Sequence, residues 1–138
     1  MLVYVSWDSS THIHKGNTPT DFTYELPFAF ELGNKATCDL HEVFLEHKIP
    51  VRGKPKSKRI QDLYIYCDIL EQSVVHGDLK KLLRIVYRSD QNLKPTKCFV
   101  STPCFNRMQF SIRNKDNTIP DLTDIDLNFC LLFSNRSL

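Results

Sequence analysis

The sequence predicts an all-β chain, a sandwich or barrel of eight strands. Three observations predict it. Apolar residues recur at every second position through much of the chain, the period of a half-buried strand. Turn-forming clusters separate those runs: "GNK", "VRGKPKSKR", "HGD", "SDQNLKP", "STP" and "NKDNTIPD". The 138 residues make one domain. A chain of that size needs no disulfide or metal, because ~150 residues bury about 70% of their unfolded surface.

The elements follow in order. "LVYV" opens the chain. "KGNTPT" is a polar lead-in in which Gly16, Asn17 and Pro19 block helix, and it runs into the strand "DFTYEL", closed by Pro27. "TCDLHEVFLEHKI" is long and mixed enough to need a bulge or burial on both faces. "LYIYCDIL" sets Leu63, Ile65, Cys67 and Ile69 against Tyr64, Tyr66 and Asp68. "KLLRIVYR" is ambiguous: Asp78 could cap a helix with Leu79, Leu82, Leu83 and Val86 at helical spacing, whereas Ile85, Val86 and Tyr87 favour strand. "KCFVS" and "MQFSIR" follow. "DIDLNFCLLF" closes the set, with Ile125, Leu127, Phe129, Leu131 and Phe133 on one side.

Composition is that of an ordinary globular chain, 41% hydrophobic and 25% charged, and a net charge of +2 implies neither nucleic acid nor membrane. No run approaches the ~18 apolar residues of a spanning helix. The start, "MLVYVSWDSSTH", has no basic flank and a short apolar run, so the reading is an intracellular chain at synthesis, and the sequon at Asn135 carries no weight. Five cysteines, Cys38, Cys67, Cys98, Cys104 and Cys130, are an odd number without paired spacing, which predicts free thiols.

No constellation supports catalysis, and the expectation is a protein without enzymatic activity, cofactor or metal. His12 and His14 share a strand face but lack a third ligand, and Cys98 and Cys104 lack a Cys-x-x-Cys partner. Asp124 and Asp126 share a face at the start of a strand, where solvation is the simpler role. No nucleophile elbow or phosphate loop occurs among only four glycines. Two features remain. The loop 51–59 gathers Arg52, Lys54, Lys56, Lys58 and Arg59, which reads as an exposed connection, a nuclear-import tag or a phosphate-contacting arm. Tyr64 and Tyr66 share one strand face opposite the aliphatic one, which reads as internal packing or as a contact surface.

Three segments together resemble a family. They are "NTPTDFTYELP", "LYIYCDILEQSVVHGDLKKLLRIV" and "MQFSIRNKDNTIPDLTDIDLNFCLLF". Their order is similar to that in the penton-type minor capsid proteins of Polintons (Mavericks) and adintoviruses. The residues that carry it are Asn17, Thr18, Phe22, Leu26 and Pro27; then Tyr66, Asp68, Ile69, Glu71, Val75, Gly77, Asp78 and Leu82 to Val86; then Ile112, Arg113 and Pro120. His76, inserted between Val75 and Gly77, departs from the pattern, and the last strand lacks the family's run of threonine and histidine. The chain is also short, without insertion domains.

The resemblance implies a single jelly roll of residues 1–138, two packed antiparallel four-stranded sheets, with "LKKLLRIV" as strand. It implies a homopentamer at the icosahedral five-fold vertices of a virion, beside a double jelly-roll major capsid protein. Synthesis would be in the host cytoplasm, with assembly in the nucleus. The lead-in 8–20 would be an extended arm, ordered against a partner or the sandwich edge. Asn17, Thr18, Pro19, Tyr64 and Tyr66 become candidate interface residues, and the loop 51–59 a candidate contact for encapsidated DNA. Two other readings stay open: a jelly-roll binding module of lectin or cytokine-like kind, and a β-domain that binds nucleic acid through the basic loop.

Overall fold

The structure, a computed structural model, describes residues 2–7, 16–32, 36–47, 62–86, 97–102, 104–122 and 125–135. Ten strands occur among them: β1 (Leu2–Trp7), β2 (Asp21–Glu31), β3 (Ala36–His47), β4 (Leu63–Cys67), β5 (Ser73–Val75), β6 (Asp78–Lys80), β7 (Leu82–Val86), β8 (Lys97–Phe99), β9 (Cys104–Arg113) and β10 (Ile125–Asn135). No helix is present among the described residues.

Eight strands form two antiparallel four-stranded sheets, in the orders β1-β10-β3-β8 and β2-β9-β4-β7. Successive strands change sheet at every connection but one, the step from β4 to β7, whose strands are neighbours. That interleaving is the single jelly roll. The remaining strands, β5 and β6, make a separate two-stranded ribbon inside the β4–β7 connection. "LLRIV" is strand, pairing with β4 along Leu63↔Val86 to Ile65↔Arg84. Tertiary pairing decides what the local pattern left even.

The alternation explains the packing. β10 pairs with β3 from Ile125 to Asn135 and with β1 from Leu127 to Leu132, so its middle is laddered on both sides. Its residues Leu127, Phe129, Leu131 and Phe133 are all buried, as are the inward residues Phe105, Met108, Phe110 and Ile112 of β9 on the facing sheet. Phe22 of β2, Phe110 of β9 and Phe129 of β10 meet at the centre. Their centroids are 5.4 Å apart for Phe22–Phe110 and 5.1 Å for Phe110–Phe129, the second pair edge-on. Edge and tilted ring pairs add to the area they bury. A second chain of rings runs from Phe30 through Phe105 to Phe133.

Two irregularities re-aim strands. The long β3 carries a bulge, one of the two features its mixed pattern allowed: opposite Cys130 and Leu131 stand Glu42 and Leu40, with His41 the extra residue, and Ala36 to Leu40 are buried on both faces. β2 does not stop at Pro27 as the sequence reading had it. It continues to Glu31, because the register breaks between Glu25 and Phe30 and the proline falls in that break. β2 is also an edge strand, where a missing N–H is tolerated.

Phe129→Ala should lower unfolding stability by about 3–5 kcal/mol, most of the margin of a typical domain. A urea midpoint that falls at unchanged slope would show it. A midpoint equal to wild type would place Phe129 outside the core.

Candidate functional site

The described part of the lead-in, Gly16 to Thr20, lies along the sandwich. The Asn17 side chain binds the edge of β2 through both of its groups. Its Nδ2 donates to the Thr23 carbonyl (3.2 Å) and its Oδ1 accepts from the Thr23 N–H (3.1 Å), which imitates one rung of a further strand. Thr18 and Asp21 exchange backbone hydrogen bonds of 2.9 and 3.3 Å, closing a tight turn, and Pro19 sits between them. Of the two supports expected for "GNTPT", a partner or the sandwich edge, the edge is the one used within this chain. Gly16 has φ +99, a conformation that favours glycine.

An ion pair ties this turn to the body. Arg113 at the end of β9 donates to both carboxylate oxygens of Asp21, at 2.6 and 3.0 Å. Burial pushes the Asp21 carboxyl up, but hydrogen bonds from Arg113 and Thr20 and the Arg113 charge outweigh it and hold the group below its ordinary value. Asp21 is a third exposed, so solvent weakens the pair.

The tyrosines are placed differently from expectation. The ribbon β5–β6 meets the tyrosines of β4 through two side chains, His76 at Tyr64 and Lys80 at Tyr66. At its tip His76 (φ +48) and Gly77 (φ +86) are both left-handed, as a two-residue hairpin turn of this twist requires. The His76 Nε2 and the Tyr64 hydroxyl are 2.9 Å apart and hydrogen-bonded. Tyr64 is thereby only 4% exposed, so the proposed contact residue Tyr64 is corrected to a packing residue against the ribbon. The physical reason is that a strand's outer face is free only if nothing folds back over it. Tyr66 is half-buried beside it, with the Lys80 ammonium 5.5 Å from the ring centre. Burial, then the neighbouring Tyr64, raises the Tyr66 hydroxyl. Lys80 also donates to Asn117 Oδ1 (3.2 Å), joining the ribbon to the turn after β9.

The five cysteines are unpaired. Cys38 of β3 and Cys98 of β8 are register partners. Burial first, then Cys67 and Cys98, pushes the Cys38 thiol far up, and burial pushes Cys67 up to about 12. Cys98 lies at the sheet edge, donating to the Leu83 carbonyl at 3.2 Å, and burial and Asp39 raise it. These thiols stay protonated at neutral pH and are poor nucleophiles. Cys104 is exposed. Near Cys98, Arg84 of β7 approaches Asp39 of β3 at 3.7 Å, a contact between opposite sheets.

Arg52, Lys54, Lys56, Lys58 and Arg59 lie outside the described residues, as do His12, His14 and Asp124 and the side chain of Asp126. Among the described residues no group of three or more His, Cys, Asp or Glu is placed to hold a metal, and no helix is long and apolar enough to cross a membrane. The surface features that period and motif missed are exposed apolar side chains: Leu2 and Tyr4 of β1, Phe28 of β2, Val74 and Leu79 of the ribbon and Phe99 of β8. Each of these occupies a strand, so alternation alone did not separate them from core. No protein-family model, curated protein or solved structure matches the chain.

Two outcomes test this geometry. In denaturant without reductant all five thiols should titrate, whereas in the native protein Cys104 should react first, Cys98 more slowly, and Cys38, Cys67 and Cys130 last. Recovery of one or three thiols in denaturant would contradict the unpaired state. Asp21→Asn should remove an acid-sensitive contribution. With its folded value lowered, Asp21 adds stability above its unfolded value of about 3.9 and loses it as pH falls through the folded value. Partial exposure limits that contribution to under ~1 kcal/mol, so wild type and variant should differ slightly at neutral pH and converge in acid.

Proposed function

We propose that the chain is a structural capsid subunit, a penton-type minor protein that associates as a homopentamer at the five-fold vertices of an icosahedral virion. The observation that carries this reading is the pair of strand orders, β1-β10-β3-β8 facing β2-β9-β4-β7. Jelly rolls of this kind build capsid shells, and lectin and cupin domains as well. The order in which the three sequence segments occur adds the resemblance to penton proteins of Polintons and adintoviruses. In this role the subunit does no chemistry. Its work is to be rigid and to present flanks to its neighbours.

Partners follow from the role. The first is a second copy of the chain. The next is a double jelly-roll major capsid protein around the vertex. The loop 51–59, with Arg52, Lys54, Lys56, Lys58 and Arg59, would meet encapsidated DNA by charge and without sequence readout. A five-fold ring needs a heterologous contact, in which one flank matches a different flank of the neighbour.

Light scattering of the purified chain at high concentration should report five copies. Imaging of particles formed with the major capsid protein should place it at the five-fold vertices. A stable trimer, or a chain that never occupies those vertices, would end the reading.

A further inference from the structure

Cys38 of β3 and Cys98 of β8 stand directly opposite one another in an antiparallel pair, so their side chains share a face. That face is the inner one, since Cys38 is 1% exposed and Cys98 packs against the core. The Val100 N–H donates to the Ala36 carbonyl at 3.0 Å, which makes Ala36–Val100 a hydrogen-bonded pair of the ladder. Two residues further along, Cys38–Cys98 is the next such pair, and its Cα atoms are about 5.5 Å apart. Disulfides span Cα separations of ~4.4–6.8 Å. After burial itself, Cys67 and Cys98 are the groups that most raise the Cys38 thiol, so a third thiol from β4 lies close by.

The position of β8 gives this pair a consequence. β8 has three residues, Lys97–Phe99, and three rungs to β3. On its other side it meets the chain that leaves β4. Leu70 bridges Val100, the Glu71 N–H donates to the Phe99 carbonyl at 3.0 Å, and the Ser101 N–H donates to the Ile69 carbonyl at 2.8 Å. The Cys98 thiol donates to the Leu83 carbonyl of β7 at 3.2 Å. This short strand is therefore a seam by which the two sheets are hydrogen-bonded together at one corner.

We propose that Cys38 and Cys98 are a redox latch: a low-molecular-weight disulfide such as oxidised glutathione converts them to a Cys38–Cys98 disulfide that pins β8 to β3 and locks this corner. The partly exposed Cys98 reacts first. Its thiolate attacks the glutathione disulfide, forms a mixed disulfide and releases one glutathione thiol. The Cys38 thiolate then attacks the Cys98 sulfur and releases the second. Two protein thiols are oxidised, one glutathione disulfide is reduced, and both protons end on glutathione. The Cys98 side chain has to turn from the Leu83 carbonyl towards Cys38. Burial raises both thiols and so slows each step. The latch therefore answers a lasting move from a reducing to an oxidising compartment rather than a brief pulse. The inference is independent of what the chain assembles into.

The test uses the full chain carrying Cys104→Ser, because the exposed Cys104 would take up glutathione by itself. The reduced protein is held folded with oxidised glutathione at mildly alkaline pH for a day, then denatured and alkylated. The four remaining thiols should fall to two, with no glutathione mass added, and peptide mapping should join Cys38 to Cys98. The melting midpoint should rise by roughly 10 °C and return with dithiothreitol. A further Cys38→Ala change should stop the reaction at one glutathione on Cys98, the trapped first step. A further Cys67→Ala change should leave the bond able to form. Four thiols after oxidation, a Cys38–Cys67 link, or glutathione retained on Cys98 while Cys38 is present overturns the assignment. A bond that forms without raising the midpoint overturns the locking of the corner.

Discussion

The contact between Phe22, Phe110 and Phe129 is the constraint on which the rest of the fold depends. Phe22 and Phe110 belong to one sheet and Phe129 to the other, so the three rings are where the two sheets become one core. Sheets packed face to face bury alternate residues, and the depth of the layer is set by the side chains that meet there. Once these rings face inward, the period of two sends Thr23, Gln109 and Asn128 the other way. The sheet with β10 at its heart must then be paired on both sides of that strand, as it is.

Four strand edges follow from an open sandwich, and the chain treats them unequally. At β2 the Asn17 amide fills a rung, and the break around Pro27 removes a stretch of regular edge. Both devices make strand-to-strand aggregation harder. Neither covers Phe28. Phe28, Glu25 and Glu31 stay exposed along that edge.

The ribbon β5–β6 changes which surface is available. Val75 is buried there and Val74 and Leu79 are exposed, while His76 hydrogen-bonds the Tyr64 hydroxyl. The face that "LYIYCDIL" would present is therefore partly an interior. The signal for the ribbon was in the chain: a two-residue turn, His76-Gly77, between Val-Val and Asp-Leu. A run of three residues on each side is too short for period counting, and Asp78 doubled as a helix cap, so the turn read as a boundary between larger elements.

What the sequence determined by itself is the class and the inward set. Alternation over "MQFSIR" and "DLNFCLLF" is a property of adjacent residues, and burial followed it at Met108, Phe110, Ile112, Leu127, Phe129, Leu131 and Phe133. The failed alternation in "TCDLHEVFLEHKI" was local too; it left a bulge and burial on both faces as alternatives, and the strand has both, a bulge at His41 and consecutive buried residues from Ala36 to Leu40. Only the tertiary structure decided which outward residues stay outside. Tyr64 and Tyr4 are both aromatics on an outer face, yet one is 4% exposed and the other 68%. The difference lies in a ribbon that pairs with neither sheet and brings His76 to Tyr64 of β4. Exposure is a relation between segments distant in sequence, and no period within one strand encodes it.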